Sequence, residues 1–330
     1  MAHELTIRQD GYAEMAFVGE TPWHGLGQEL QAGADMAAWR KAAGMDWVIE
    51  SAPVCYTATQ YDPKLDCDRE AGRFTFPSRN VLYRSDTKAP LSVVSDRYKP
   101  VQPMEVLEFF NDLVTESGFR LHTAGTLFGG KRLWALAETG KFGEVSKGDG
   151  VGGFLLLSTS ADKSLATTAR FTSVRVVCNN TLGMATKNDS SMVSFTHARE
   201  FDHEAMKAKL GQAVASFGSF MDMAKFLRKQ KLSVAQANKF VADLLIKPTK
   251  LTDPDYSVLE TRGFEKIMGL FDGGALGSNM AGHTKWGMLN AVTEYYDHHL
   301  PSRTNDARLN SAWFGSSDAL KARAVDLLLA

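Results

Sequence analysis

Long apolar runs are the first thing this chain lacks. No stretch approaches the roughly 18 apolar residues that a membrane span requires, and the start, Met-Ala-His-Glu-Leu, has no basic region followed by an apolar one. The expectation is a soluble, unexported protein with no membrane partner. Cysteine is scarce as well: Cys55, Cys67 and Cys178 are odd in number and far apart, which argues against a disulfide framework and fits a reducing cytoplasm. No Cys-x-x-Cys pair, zinc-spaced Cys/His cluster or His-Glu-x-x-His occurs, so no metal is expected and no cofactor is required. Net charge is missing too. A balance of −1 over 330 residues gives no global attraction to nucleic acid, so any such binding must come from local patches.

What is present is enough apolar sequence, 44%, to bury one large core or two modest ones. The hydrophobic period divides the chain near residue 200, into an α+β domain over 1–200 and a helical region over 201–330. In the first part, Ala34–Ala43 reads as a short helix, with strands around Trp47–Thr57, Arg79–Tyr83 and Leu91–Val94. A helix after Pro103 places Val106, Leu107, Phe110, Leu113 and Val114 on one stripe and stops at Gly118. Leu121–Phe128 and Arg132–Glu138 flank Gly129-Gly130, the sequence form of a tight hairpin. Phe154–Ser160 and Leu165–Thr172 follow as partner strands, and a helix from about Asn179 completes a βββα-like centre in a mainly antiparallel sheet. After Asp202, Leu210, Val214, Phe217, Met221 and Ala224 recur at helical spacing, and Ser233 caps a second helix through Leu245. Pro248 and Pro254 mark a linker.

Residues 171–185, Phe-Thr-Ser-Val-Arg-Val-Val-Cys-Asn-Asn-Thr-Leu-Gly-Met-Ala, combine an apolar segment, one cation and a run of amides. Arg175, Asn179 and Asn180, with Lys163 and Arg170 upstream, form a corner suited to a phosphate. The alternative is structural: Asn179 caps a helix and Arg175 pairs with a carboxylate. From Arg199 to Lys250 there are ten Lys or Arg against five Asp or Glu, densest at Arg228, Lys229 and Lys231; a solvated helix face explains this equally.

Two further constellations carry polar chemistry. Thr21-Pro-Trp-His-Gly-Leu-Gly27 is a shaped loop in which Trp23 and His24 offer a stacking surface or a structural anchor. In His283–His299, a helix places Trp286, Asn290, Thr293, Glu294, Asp297 and His298 on neighbouring faces. Glu294 and His298 have the spacing of two metal ligands, but no third ligand accompanies them. A polar network locking this helix to the β domain is the favoured reading, and the two polar constellations are expected to form one site.

Together, Met1-Ala-His-Glu, Pro22–Gly27, Phe171–Leu182, Trp286–His298 and Arg308-Leu-Asn-Ser-Ala-Trp-Phe-Gly315 resemble a phage- and plasmid-borne family known as domain of unknown function nine-three-two, along essentially the whole chain. That resemblance implies a setting in mobile DNA, beside recombination and replication genes. The strand-rich centre also looks like the βββα unit of Rad52-type single-strand annealing proteins, a likeness of topology alone.

The leading expectation is therefore a single-stranded DNA-binding or annealing protein working as a homo-oligomer. Lys131, Arg132, Lys163, Arg170 and Arg175, with Asn179 and Asn180, would hold phosphates, and Arg228, Lys229 and Lys231 would add a second contact line. One alternative is an enzyme for a nucleotide or phosphate ligand, its pocket formed by residues 175–181 and 290–298, with Glu294 as base or metal ligand beside His298. Another is a structural or host-interaction protein.

Overall fold

The computed structural model describes residues 6–8, 10–19, 26–175, 180–183, 192–198, 202–246 and 260–330; of residues 112–117, 175, 180–183, 192–193, 203, 205–216 and 305–306 it describes the backbone alone. The chain begins with β1 (Met15–Val18), β2 (Gln28–Leu30) and α1 (Met36–Ala42). Asp35 opens α1 by accepting the Ala38 N–H at 2.8 Å, which satisfies one of the unpaired donors of its first turn. Next come β3 (Ile49–Asp62), β4 (Cys67–Arg84), β5 (Pro90–Ser95) and α2 (Pro103–Ser117), then β6 (Arg120–Leu127), β7 (Arg132–Ser146), β8 (Asp149–Ser160), β9 (Thr167–Arg175), β10 (Asn180–Gly183) and β11 (Met192–Phe195). The remaining elements are helices: α3 (His203–Lys229), α4 (Val234–Leu245), α5 (Arg262–Gly269), α6 (Ser278–Ala281), α7 (Lys285–Glu294), α8 (Asn305–Phe314) and α9 (Ser316–Leu329). This is the α+β architecture that the change of hydrophobic period predicts.

The large sheet runs β10-β9-β8-β7-β6-β1-β2, with β11 sharing the edge of β9 that β10 also uses. Every pairing in it is antiparallel except β1 with β2. Gly129 and Gly130 turn β6 into β7 with φ of 70° and 92°, a backbone that side chains resist. One expectation fails here. Residues 180–183 do not begin a helix; they pair with β9 as a strand, and among the described residues the next helix is α3.

Alternation along the strands separates the faces. Leu133, Ala135, Ala137, Leu155, Leu157, Ala169 and Phe171 point to the main core, under α2 and under Phe217, Phe220, Met221 and Ala224 of α3. Trp134, Leu136, Phe154 and Leu156 point the other way, into a smaller core closed by Leu309, Trp313 and Phe314 of α8, together with Leu26 and Val174.

The second sheet, β3-β4-β5, is unlike the first. β5 pairs with β4 only at Arg79–Tyr83, so from Cys55 to Thr75 the β3–β4 pair runs on as a two-stranded ribbon. The sequence expectation stops β3 at Thr57 and starts β4 at Arg79, and so misses the ribbon.

Candidate nucleic-acid interface and the polar motifs

Tyr56 and Phe74 face each other across the ribbon with ring centroids 5.7 Å apart, stacked, and stand 53% and 46% exposed. Phe76, two residues along β4, is 50% exposed. Arg73 and Arg79 on the same strand are exposed, and the tip carries Asp62, Asp66, Asp68 and Glu70. Large rings displayed together on a strand pair are the composition of a stacking surface. The alternation of Phe74, Thr75 and Phe76 is the signal that could have revealed it.

At the root of the ribbon lie two of the predicted cations. Lys163 is exposed and donates to the Val93 carbonyl of β5 at 2.8 Å, and the Lys131 carbonyl accepts from the N–H of Ala161, two residues before Lys163. Arg132, adjacent in sequence, is different: it is 6% exposed, its Nη2 donates to Ser164 Oγ at 2.6 Å, and Phe128 and Phe314 flank its guanidinium at 5.9 and 5.5 Å. Burial pushes its pKa down.

Arg170 departs from the phosphate reading. Its guanidinium makes two hydrogen bonds to the Asp318 carboxylate, at 2.6 and 3.1 Å, and a third to the Trp313 carbonyl. Its donors are thus spent tying β9 to α8 and α9, which takes it out of the set available to DNA. The side chains of Arg175 and Asn180 and all of Trp23, His24 and Asn179 lie outside the described residues. The cations near Arg228 fall elsewhere. Arg228 donates to the Met280 carbonyl, close to Ser146 at the far end of β7; Lys229 and Lys231 are exposed there. Measured along the paired strand, from Ser160 opposite Arg132 to Asp149 opposite Ser146, that end is eleven strand steps from Arg132, about 36 Å, so the two predicted contact lines are distinct surfaces.

The polar helix α7 is brought beside the 171–185 motif, since α7, α8 and α9 all pack on β10. Its polar groups have structural partners. Trp286 donates to Asp149 at the start of β8, 2.9 Å away and buried, and the Asn290 amide donates to the Trp286 carbonyl. Glu294 accepts the Leu276 N–H at 3.0 Å, with His299 Nε2 at 3.6 Å. Asp297 pairs with Lys321 at 2.7 Å in full burial, and the His298 carbonyl accepts from Arg308. A π turn over Tyr295–His299 shifts Asp297 and His298 off the face that straight helical spacing predicts. No group of three or more His, Cys, Asp or Glu able to hold a metal is found among the described residues, and no helix among them is long and apolar enough to cross a membrane.

The fold is thus an α+β body whose main sheet is held between helices on both faces. The chain belongs to the family described as Domain of unknown function (DUF932), whose model matches residues 90–313, about two thirds of it. No curated protein and no solved structure matches it, and the Rad52-type likeness gains no support from that quarter.

Proposed function

We propose that the protein binds single-stranded DNA, in the recombination or replication of phage or plasmid DNA, with the β3–β4 ribbon as the stacking surface and Lys131 and Lys163 at its root as phosphate contacts. The observation that carries this reading is the exposed Tyr56–Phe74 stack, with Phe76 beside it and Arg73 and Arg79 on the same strand. Bases stack on such rings regardless of sequence, at roughly 1–3 kcal/mol each. Titrating a fluorescent oligonucleotide at several salt concentrations tests it. Replacing Tyr56 and Phe74 by Ala weakens binding about tenfold or more without changing the circular dichroism. Replacing Lys131 and Lys163 by Ala flattens the log-log salt slope by about 0.7 per lost contact. Unchanged affinity in both variants would refute the reading.

The same ribbon supports self-association. The outer edge of β3 and the edge of β4 over residues 67–76 have no strand partner among the described residues, and free edges pair with other chains. An acidic tip and a basic stretch at Arg73 and Arg79 complement each other when two ribbons align antiparallel. Light scattering on a variant with Asp68 and Glu70 changed to Lys should show dissociation, reversed on adding Arg73→Glu and Arg79→Glu.

A further inference from the structure

Three polar atoms on the α8 side of the large sheet are sealed from solvent with no hydrogen-bond partner: Thr123 Oγ1, Arg132 Nε and Trp134 Nε1. All three side chains leave the same face. Arg132 and Trp134 are two residues apart on β7, and Thr123 is opposite Leu136 in the β6–β7 register. A fourth such atom, Asn310 Oδ1, comes from α8. Asn310 shares one side of that helix with Trp313 and Phe314, which meet Trp134 edge-on at 5.0 Å and Arg132 at 5.5 Å. Buried polar groups are ordinarily satisfied. Four exceptions across one interface mark a place where something polar belongs.

The charge says what it is. The other two fully buried cations among the described residues are each paired with a carboxylate, Arg84 with Glu14 and Asp86 and Lys321 with Asp297. Arg132 has no carboxylate within ion-pair distance among the described residues; it donates to the neutral Ser164 hydroxyl, which in turn bonds Asp162, the one carboxylate whose charge offsets that of the guanidinium from beyond ion-pair distance. A buried guanidinium whose counter-charge is held one hydroxyl away, with its Nε unpaired, is only partly compensated. Beside it sits an indole N–H, which can only donate, and an amide that can present either its oxygen or its nitrogen.

We propose that the interface between β6–β7 and α8 is a binding site for an oxyanion, a phosphate group, with Arg132 as its cation, the Trp134 N–H and Asn310 amide as neutral donors, and Phe128 and Phe314 as walls. The group can come from inorganic phosphate or from a nucleoside monophosphate. This site is separate from the ribbon, and each can fail without the other.

Calorimetric titration of the full chain with inorganic phosphate, and separately with the four nucleoside monophosphates, provides the test. Saturable binding is expected, with a matching rise in melting temperature. Trp134→Phe keeps the ring and removes the donor, and should weaken the affinity about tenfold; Arg132→Lys should weaken it further; the ribbon variants should leave it unchanged. A monophosphate bound more than tenfold tighter than the free ion assigns the site to nucleotides, and equal affinities assign it to phosphate itself. Should Arg132→Lys fail to fold, Trp134→Phe still decides. No saturable binding by the wild-type chain, or unchanged affinity in Trp134→Phe, overturns the proposal.

Discussion

Glu14 and Arg84, 70 residues apart, share two hydrogen bonds of 2.7 and 2.9 Å at a point closed to solvent. The carboxylate also accepts from Arg8 at 2.8 Å and from the Thr126 hydroxyl at 2.6 Å, while the guanidinium reaches Asp86 and lies over the Trp47 ring at 4.3 Å. This cluster joins the residues leading into β1 to the root of the ribbon and the end of β6. Replacing Glu14 by Ala leaves Arg84 half-paired and Thr126 without an acceptor, and should lower stability by about 3–5 kcal/mol. Urea unfolding measures it; a loss below about 1 kcal/mol would show that the pair is dispensable.

Gly130 and Gly129 are adjacent, both with positive φ, yet they should respond differently to alanine. A Cβ on Gly130 meets Trp47 Cζ2 at 2.7 Å and Arg84 Nη1 at 3.2 Å, whereas one on Gly129 meets nothing within 4 Å. Gly129→Ala then bears only the left-handed backbone penalty, about 1–2 kcal/mol. Gly130→Ala adds a clash with rigid neighbours and should cost clearly more, read as a lower denaturation midpoint.

Arg170 and Asp318 should behave as a structural clamp. Arg170→Ala is expected to lower the melting temperature and to leave the salt slope of oligonucleotide binding unchanged. A double-mutant cycle with Asp318→Ala should return a coupling energy of about 1–3 kcal/mol. A flattened salt slope in a fully folded Arg170→Ala protein would restore this arginine to the DNA interface.

His122 gives a pH dependence with a definite sign. Burial pushes its pKa below the ordinary 6.5, against the opposing pull of Glu138, and its Nδ1 is enclosed without a partner beside the Phe154 ring. The unfolded chain takes up this proton first as pH falls. The stability that the neutral ring contributes is therefore complete above about pH 6.5 and is lost progressively as pH falls below it, at up to about 1.4 kcal/mol per unit for one proton. His122→Phe should flatten the melting-temperature profile over that window; parallel profiles for the two proteins would contradict the assignment.

How far the sequence disclosed these features depended on how local their chemistry is. The Ser233 capping box with Gln236, the stop at Gly118 and the hairpin across Gly129-Gly130 are written in neighbouring residues, and all are present. The ribbon was illegible because period-2 patterning is recognised through a buried face, and residues 53–79 have hardly any. The partner of Arg170 lies 148 residues away, a distance no spacing rule spans. The helix expected from about Asn179 fails for the opposite reason: amides suit helix starts, but at residues 180–183 the edge of β9 offers the backbone a ladder.

The order in which the sheet and its covers are made has a consequence for synthesis. The strands β6–β9 leave the ribosome before residue 203, but α3, which closes one face, and α8, which closes the other, come after it. At typical elongation rates the remaining residues take roughly 6 to 25 seconds. Throughout that interval the nascent sheet shows Trp134, Leu136, Phe154 and Leu156 to water on one side and the mates of Phe217 and Phe220 on the other. The half-made chain is therefore a natural client for a chaperone that shields apolar surface, and loss of the last few dozen codons would leave the Trp134 face without its α8 cover.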